Sequence, residues 1–210
     1  MTRIYLLRHG ETEWNLQGDK YCGRTDVPLT KKGQQQAEAA ADYLADIPFD
    51  AAYTSPLSRA SETAAKITER HGIKAVIDER LLEADFGLWE GQTKEEFIAE
   101  DPVAWAKWLK NPAIHRAGKT GESGQKIYNR ADSFFEEIAN RHPFDTLLVL
   151  GHNTLNRFFI AGRLGMPLSN YRAIKQFNTG ITVIDINGED TAFVCINSHE
   201  HLKKLTVTHS

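Results

Sequence analysis

The sequence predicts an α/β fold: a three-layer α/β/α sandwich built on a mainly parallel, mixed sheet. Three patterns point there. Short apolar runs without polar alternation recur along the chain, as in strands covered on both faces. Capped helical stretches separate them, the alternation that builds parallel sheets. One hairpin signal near the end makes at least one strand antiparallel. The 210 residues suit one domain, taken as 1–210.

The elements follow in order. Residues 3–7 (RIYLL) form the first expected strand, and 51–53, 75–77 and 146–150 (TLLVL) the next three. The stretch 30–44 opens on a capping threonine and is rich in Ala and Gln; 55–71 opens on Ser-Pro and stops at Gly72. Thr93-Lys94-Glu95-Glu96 is a capping box, 123–141 is long and periodic, and 153–164 completes the alternation. Strands over 180–186 and 191–196 flank Asn187-Gly188-Glu189-Asp190, a hairpin turn. Between about 88 and 122 the pattern changes to scattered charges with Trp89, Phe97, Trp105 and Trp108, read as a helical insertion rather than a second domain.

Composition excludes several classes of function. The net charge of −3 leaves no broad basic face for nucleic acid. No run approaches the length a membrane span needs, and the N-terminal apolar run is too short for a signal peptide. Cys22 and Cys195 are too few for a disulfide framework or a zinc site. These features suit a soluble protein of the cytoplasm.

The chemistry gathers at strand ends. The first strand ends in Leu7-Arg8-His9-Gly10-Glu11-Thr12. Parallel sheets bind ligands beyond the carboxyl ends of their strands, so this Arg-His pair falls where a site belongs, although on a surface turn it would carry no chemistry. Gly10 permits a sharp turn or a close backbone approach. The run 147–150 ends in Gly151-His152-Asn153 in the same manner; alone, His152 reads as a helix cap. Arg59, early in the helix after 51–53, reads alone as a solvated arginine. Brought to one sheet edge, Arg8, Arg59 and two imidazoles make a cationic pocket suited to a phosphoryl group. His199-Glu200-His201 has a metal-like spacing but no third ligand in sequence, and reads as structural or solvated. His71, His115, His142 and His209 lie in polar contexts and read as surface. No acidic cluster argues for Mg²⁺ or Zn²⁺, so no metal is expected.

Arg8-His9-Gly10-Glu11-Thr12, Ser55-Pro56-Leu57-Ser58-Arg59-Ala60 and Gly151-His152 together resemble the signature of the histidine phosphatase superfamily. Trp14-Asn15, Tyr21-Cys22-Gly23, Asp26-Val27-Pro28-Leu29-Thr30 and Leu81-Leu82-Glu83 fit it in order, so the resemblance spans nearly the whole chain. It implies a phosphoglycerate mutase-like fold with the helical insertion over the active site. It implies Arg8, His9, Arg59, Glu83 and His152 as catalytic positions, Asn15 as a further phosphate contact, and Cys22, Gly23 and Asn153 as substrate-binding positions. In that scheme a neutral His9 attacks phosphorus, giving a phosphohistidine, and Arg8 and Arg59 disfavour a second positive charge on it. Its other ring nitrogen is held by a backbone carbonyl. Glu83 protonates the leaving oxygen and then deprotonates water, with Asp85 as the neighbouring competitor.

Mutases and phosphatases share this set. The mutases carry a longer insertion with an adjacent arginine pair that grips a carboxylate. Here 88–122 holds five Lys/Arg against six Asp/Glu and no adjacent arginines. The stretch 83–91 instead resembles the broad-specificity phosphatase branch, including α-ribazole phosphatase-like enzymes. The expected activity is therefore hydrolysis of a small-molecule phosphate ester by a monomer or homodimer, without cofactor. The alternatives are a phosphoglycerate mutase primed by 2,3-bisphosphoglycerate and a catalytically silent phosphate-binding module. Arg116 and Lys119 are the expected extra anion contacts near the leaving group. Trp89, Trp105 and Trp108 either wall that side or pack the insertion's core.

Overall fold

The computed structural model describes residues 1–203; His209 lies outside them. From the N-terminus the chain runs β1 (Thr2–Arg8), α1 (Glu13–Leu16), α2 (Lys31–Tyr43), β2 (Ala51–Thr54), α3 (Ser58–His71) and β3 (Ala75–Ile77). It continues through α4 (Lys94–Glu100), α5 (Pro102–Lys110), α6 (Gly124–Arg141), β4 (Thr146–Gly151), α7 (Asn153–Arg163), β5 (Ile181–Asn187) and β6 (Asp190–Ser198). The sheet has six strands in the order β3-β2-β4-β1-β5-β6. β1, β2, β3 and β4 pair in parallel; β5 pairs antiparallel with β1, and β6 with β5.

Both faces of the central strands β1, β2 and β4 are covered, which explains their unbroken apolar runs, whereas the edge strand β3 exposes Val76 and Ile77. Ile4 and Leu6 of β1 and Leu147 and Val149 of β4 face a core shared with α6 and α7. Their neighbours Leu7, Leu148 and Leu150 face a second core under α2 and α3. This is the period-2 alternation of a strand with two dry faces.

The caps fix most helix starts. Thr30 Oγ1 accepts from Gly33 N (2.9 Å), Ser123 Oγ from Lys126 N (3.3 Å), and Thr93 and Glu96 form the reciprocal box. α3 differs, beginning three residues after Ser55. Its first N–H and hydroxyl, both of Ser58, donate to Asp26 Oδ1 at 2.9 Å, so a carboxylate from a distant loop serves as the cap and Ser55-Pro56 lies in the preceding turn.

Residues 88–122 contribute α4 and α5, and their aromatic side chains join the β1–α6–α7 core rather than forming one of their own. Among the described residues no helix is long and apolar enough to cross a membrane.

Candidate active site

The parallel register of β1 and β4 sets Arg8 beside Gly151, so His9 and His152 are each the first residue past adjoining strand ends. His9 N donates to Gly151 O (3.3 Å), and the two rings lie 5.1 Å apart between centroids, inclined at 58°. Both rings are buried: His9 is 4% exposed and His152 not at all. Backbone geometry alone brings the imidazoles together.

His9 Nδ1 lies 2.7 Å from Gly10 O. A carbonyl only accepts, so Nδ1 carries the proton and Nε2 keeps its lone pair. Burial holds the ring neutral well below the ordinary histidine range, with the charges of Arg59 and then Arg8 adding to it. The arginines expected to suppress its protonation are therefore the lesser cause. His152, at the start of α7, is lowered in the same way by burial and then Arg59, and neither of its ring nitrogens has a hydrogen-bond partner among the described residues.

Arg59 is fully buried. Its Nη1 and Nη2 donate to Thr25 O (2.9 Å) and Gly23 O (2.7 Å), while Nε has no partner among the described residues. Arg8 Nη1 donates to Gln176 O (2.8 Å), and its Nε is likewise unpartnered. Each guanidinium is thus steered by backbone carbonyls and keeps its full charge for a ligand, since no carboxylate of the described residues pairs with either.

Glu83, 5% exposed, is held by backbone N–H groups on both oxygens. Oε1 accepts from Ala84 N (2.8 Å) and Leu155 N (2.9 Å), and Oε2 from Thr154 N (3.0 Å). The donors from Thr154 and Leu155 belong to the first turn of α7, where free N–H groups are expected. Asp85 turns away and accepts from Gly87 N (2.8 Å).

These groups open on a cavity of about 590 Å³ lined by Arg8, His9, Asn15, Cys22, Gly23, Arg59, Glu83 and Asn153. His152 adjoins His9 and is wholly buried, with both ring nitrogens unpartnered among the described residues. Asn15 Oδ1 accepts from Thr12 N (3.0 Å), and its Nδ2 donates to Asp19 Oδ1 (3.2 Å). Burial raises the Cys22 thiol, which suits a wall rather than a nucleophile.

One sequence expectation fails. Arg116 and Lys119 do not reach this cavity; they line a separate one of about 390 Å³. Arg116 donates to Gly121 O (2.7 Å) and Thr120 O, closing its own loop, and Lys119 pairs with Asp101. The loop is tucked so tightly that a Cβ on Gly118 would sit 2.2 Å from Phe86 O, so its cations are spent locally. Of the two uses open to Trp89, Trp105 and Trp108 the structure shows core packing: they are at most 7% exposed and pack on Phe97 and on one another. Trp108 Nε1 donates to Tyr171 OH (3.1 Å). Phe86 and Tyr21, in edge-to-face contact at 4.7 Å, supply the apolar side instead.

Arg157, Arg172, Lys175 and Tyr21 also line the cavity, without having been singled out from sequence. Arg157 carried a usable signal, lying one helical turn beyond Asn153 and so on the same face of α7. Arg172 and Lys175 carried none, because an irregular segment after α7 delivers them. Among the other histidines, His201 is 6% exposed, its Nε2 2.9 Å from Thr179 Oγ1. His142 is not free on the surface: it bridges Tyr53 OH (2.7 Å) and Asp145 (2.9 Å). Among the described residues no group of three or more His, Cys, Asp or Glu is placed to hold a metal ion.

A sheet with two buried histidines at adjoining strand ends, two arginines freed of counter-ions and a carboxylate at a helix N-terminus defines a phosphoryl-handling fold. The chain belongs to the histidine phosphatase superfamily (branch 1), whose family model matches residues 4–199. It is 32% identical over 208 residues to phosphoserine phosphatase 1 of Hydrogenobacter thermophilus, covering 99% of this chain and 97% of that one. It is 29% identical over 196 residues to the adenosylcobalamin/α-ribazole phosphatase of Escherichia coli, covering 93% and 96%. Among solved structures, a mutant phosphoserine phosphatase of Entamoeba histolytica in complex with phosphoserine superposes with a TM-score of 0.87 at 33% identity, covering 96% of this chain and all of that one.

Proposed function

We propose that this protein hydrolyses small phosphate monoesters in two steps through a phosphohistidine on His9. The observation that carries the reading is the His9 Nδ1–Gly10 contact beside two uncompensated guanidiniums: it fixes a neutral ring with its Nε2 lone pair free in a cationic cavity. In the first step the Nε2–P bond forms as the ester P–O bond breaks, and Glu83 delivers a proton to the leaving alkoxide. In the second, water attacks phosphorus, Glu83 takes its proton, and the N–P bond breaks to free phosphate and the imidazole. Oε1 of Glu83 already accepts two N–H groups, whereas Oε2 accepts one, so Oε2 is the oxygen with a lone pair for the travelling proton. Arg8, Arg59, Asn15 and His152 bind the equatorial oxygens, where charge must be met during transfer.

Two guanidiniums supply that charge, so the reaction needs no metal and no organic cofactor. The similarity to phosphoserine and α-ribazole phosphatases favours hydrolysis over the mutase reading. Cys22 and Cys195 are both free thiols, in keeping with a cytoplasmic enzyme.

The test is phosphate release from 4-nitrophenyl phosphate, with an alkaline quench, under which a phosphohistidine survives, and mapping of the phosphorylated residue. His9→Ala should abolish turnover and labelling together. Label on another side chain, or His9→Ala at wild-type rate, overturns the reading.

A further inference from the structure

Among the described residues, the arginines withdrawn from water are matched to partners, with one exception. Arg130 pairs with Glu122 (3.1 Å) and Arg163 with Asp132 (2.5 Å); Arg59 and Arg8 are held by carbonyls. Arg157 has neither. It makes no hydrogen bond or ion pair with any described residue, and its Nε is buried without a partner. The residue is half-buried, with Nε cut off from water, and an unmatched guanidinium is tolerated there where a ligand brings the missing anion.

Its position says which part of a ligand that is. Arg157 lines the same cavity as His9 and Glu83, one turn along α7 from Asn153. Its charge is, after burial, the strongest influence lowering the Arg8 guanidinium, to about 10, so it stands close beside the phosphoryl subsite. The buried Tyr171 and then Arg172, Glu83 and Tyr21 of the cavity lining also act on its charge. Arg172 is braced there by Tyr21 OH (3.4 Å) and lies over the Trp105 ring at 5.1 Å. Arg157 therefore shares one cavity with the phosphoryl-binding Arg8 and with the Tyr21–Arg172 pair, where a leaving group would meet it.

We propose that Arg157, assisted by Arg172, is a specificity residue that binds a carboxylate on the leaving group, so that the preferred substrates are phosphate monoesters of hydroxy acids. The inference rests on the hydrolase reading above. A carboxylate fits the flat fork of a guanidinium and brings one charge. Arg157 and Arg172 would thus do what Arg116 and Lys119 were expected to do, from a different segment of the chain.

The test compares 3-phosphoglycerate with glycerol 3-phosphate, which has a hydroxymethyl group in place of the carboxylate, alongside 4-nitrophenyl phosphate and glycerol bisphosphate. The wild-type protein should favour 3-phosphoglycerate over glycerol 3-phosphate by about 10- to 100-fold in kcat/KM, the scale of a charge-assisted hydrogen bond. Arg157→Met should bring that ratio close to one, mostly through KM; Arg157→Lys should keep part of it, and Arg172→Met should lower it less. The melting temperature of Arg157→Met should hold or rise, because an unpaired charge has been removed. Equal losses on both esters, a wild-type ratio near one with 4-nitrophenyl phosphate still hydrolysed, or a preference for the bisphosphate would each overturn the assignment and leave the hydrolase reading standing. A wild-type protein inactive on all four esters would remove the hydrolase reading itself and the assignment with it.

Discussion

At the scale of single residues, three buried imidazoles dominate the response to acid. Burial is the first cause that lowers His9, His152 and His201, the last to about 4. Unfolded, each would take up a proton below about pH 6.5; folded, each resists it. Unfolding therefore binds protons in this range, and stability is full above pH 6.5 and declines as the pH falls toward 4. The urea midpoint should drop between pH 7.5 and pH 5, before most carboxylates titrate. A midpoint unchanged over that span would mean that the rings are already charged in the folded protein. The residues at strand ends were legible in sequence because a short apolar run followed by Arg-His-Gly or Gly-His fixes both place and chemistry. Arg157 was passed over although its spacing of one helical turn from Asn153 puts both on one face of α7.

At the scale of elements, the β1–α2 junction is the tightest contact behind the site. A Cβ on Gly33, in the first turn of α2, would lie 2.1 Å from Glu11 O, and one on Gly10 would lie 2.4 Å from Gly33 O. Two chain segments meet there with no side chain between them, and Gly10 O is the acceptor that orients His9. Gly33→Ala should therefore cost about 1–3 kcal/mol in urea unfolding, the scale of overpacking a closed contact. It should also lower kcat by displacing that carbonyl; a Gly33→Ala variant of wild-type stability and rate would refute the role. Strands and most helix starts were legible because apolar runs and capping residues act locally. The start of α3 was not, since its cap, Asp26, comes from 32 residues away and is visible only once the chain has folded.

For the whole molecule, the insertion shares the main core instead of riding on it. Trp108 is 1% exposed, touches Trp89, Phe158 and Tyr171 by its ring, and donates to Tyr171 OH (3.1 Å). Tyr171 opens on to the segment carrying Arg172 and Lys175, so one aromatic cluster ties the insertion to the outer rim of the cavity. Trp108→Ala should cost about 3–5 kcal/mol of stability and raise KM for phosphate esters, measured by thermal melts and steady-state assays; loss of stability with KM unchanged would uncouple the two. The three-layer plan was legible from alternation alone. The assignment of the tryptophans to core or cavity was not, because both uses require the same apolar, half-helical spacing.

The hairpin joining β5 to β6 has a practical meaning. β1 begins at Thr2, which lies opposite Ile186, so the turn at Gly188 and the amino terminus share one end of the sheet. His9 follows the last residue of that seven-residue strand, about 20 Å away at the rise of extended chain. A reporter, bead or fusion partner attached at either point would hold the molecule by its inert base, leaving the opposite rim open to whatever diffuses in.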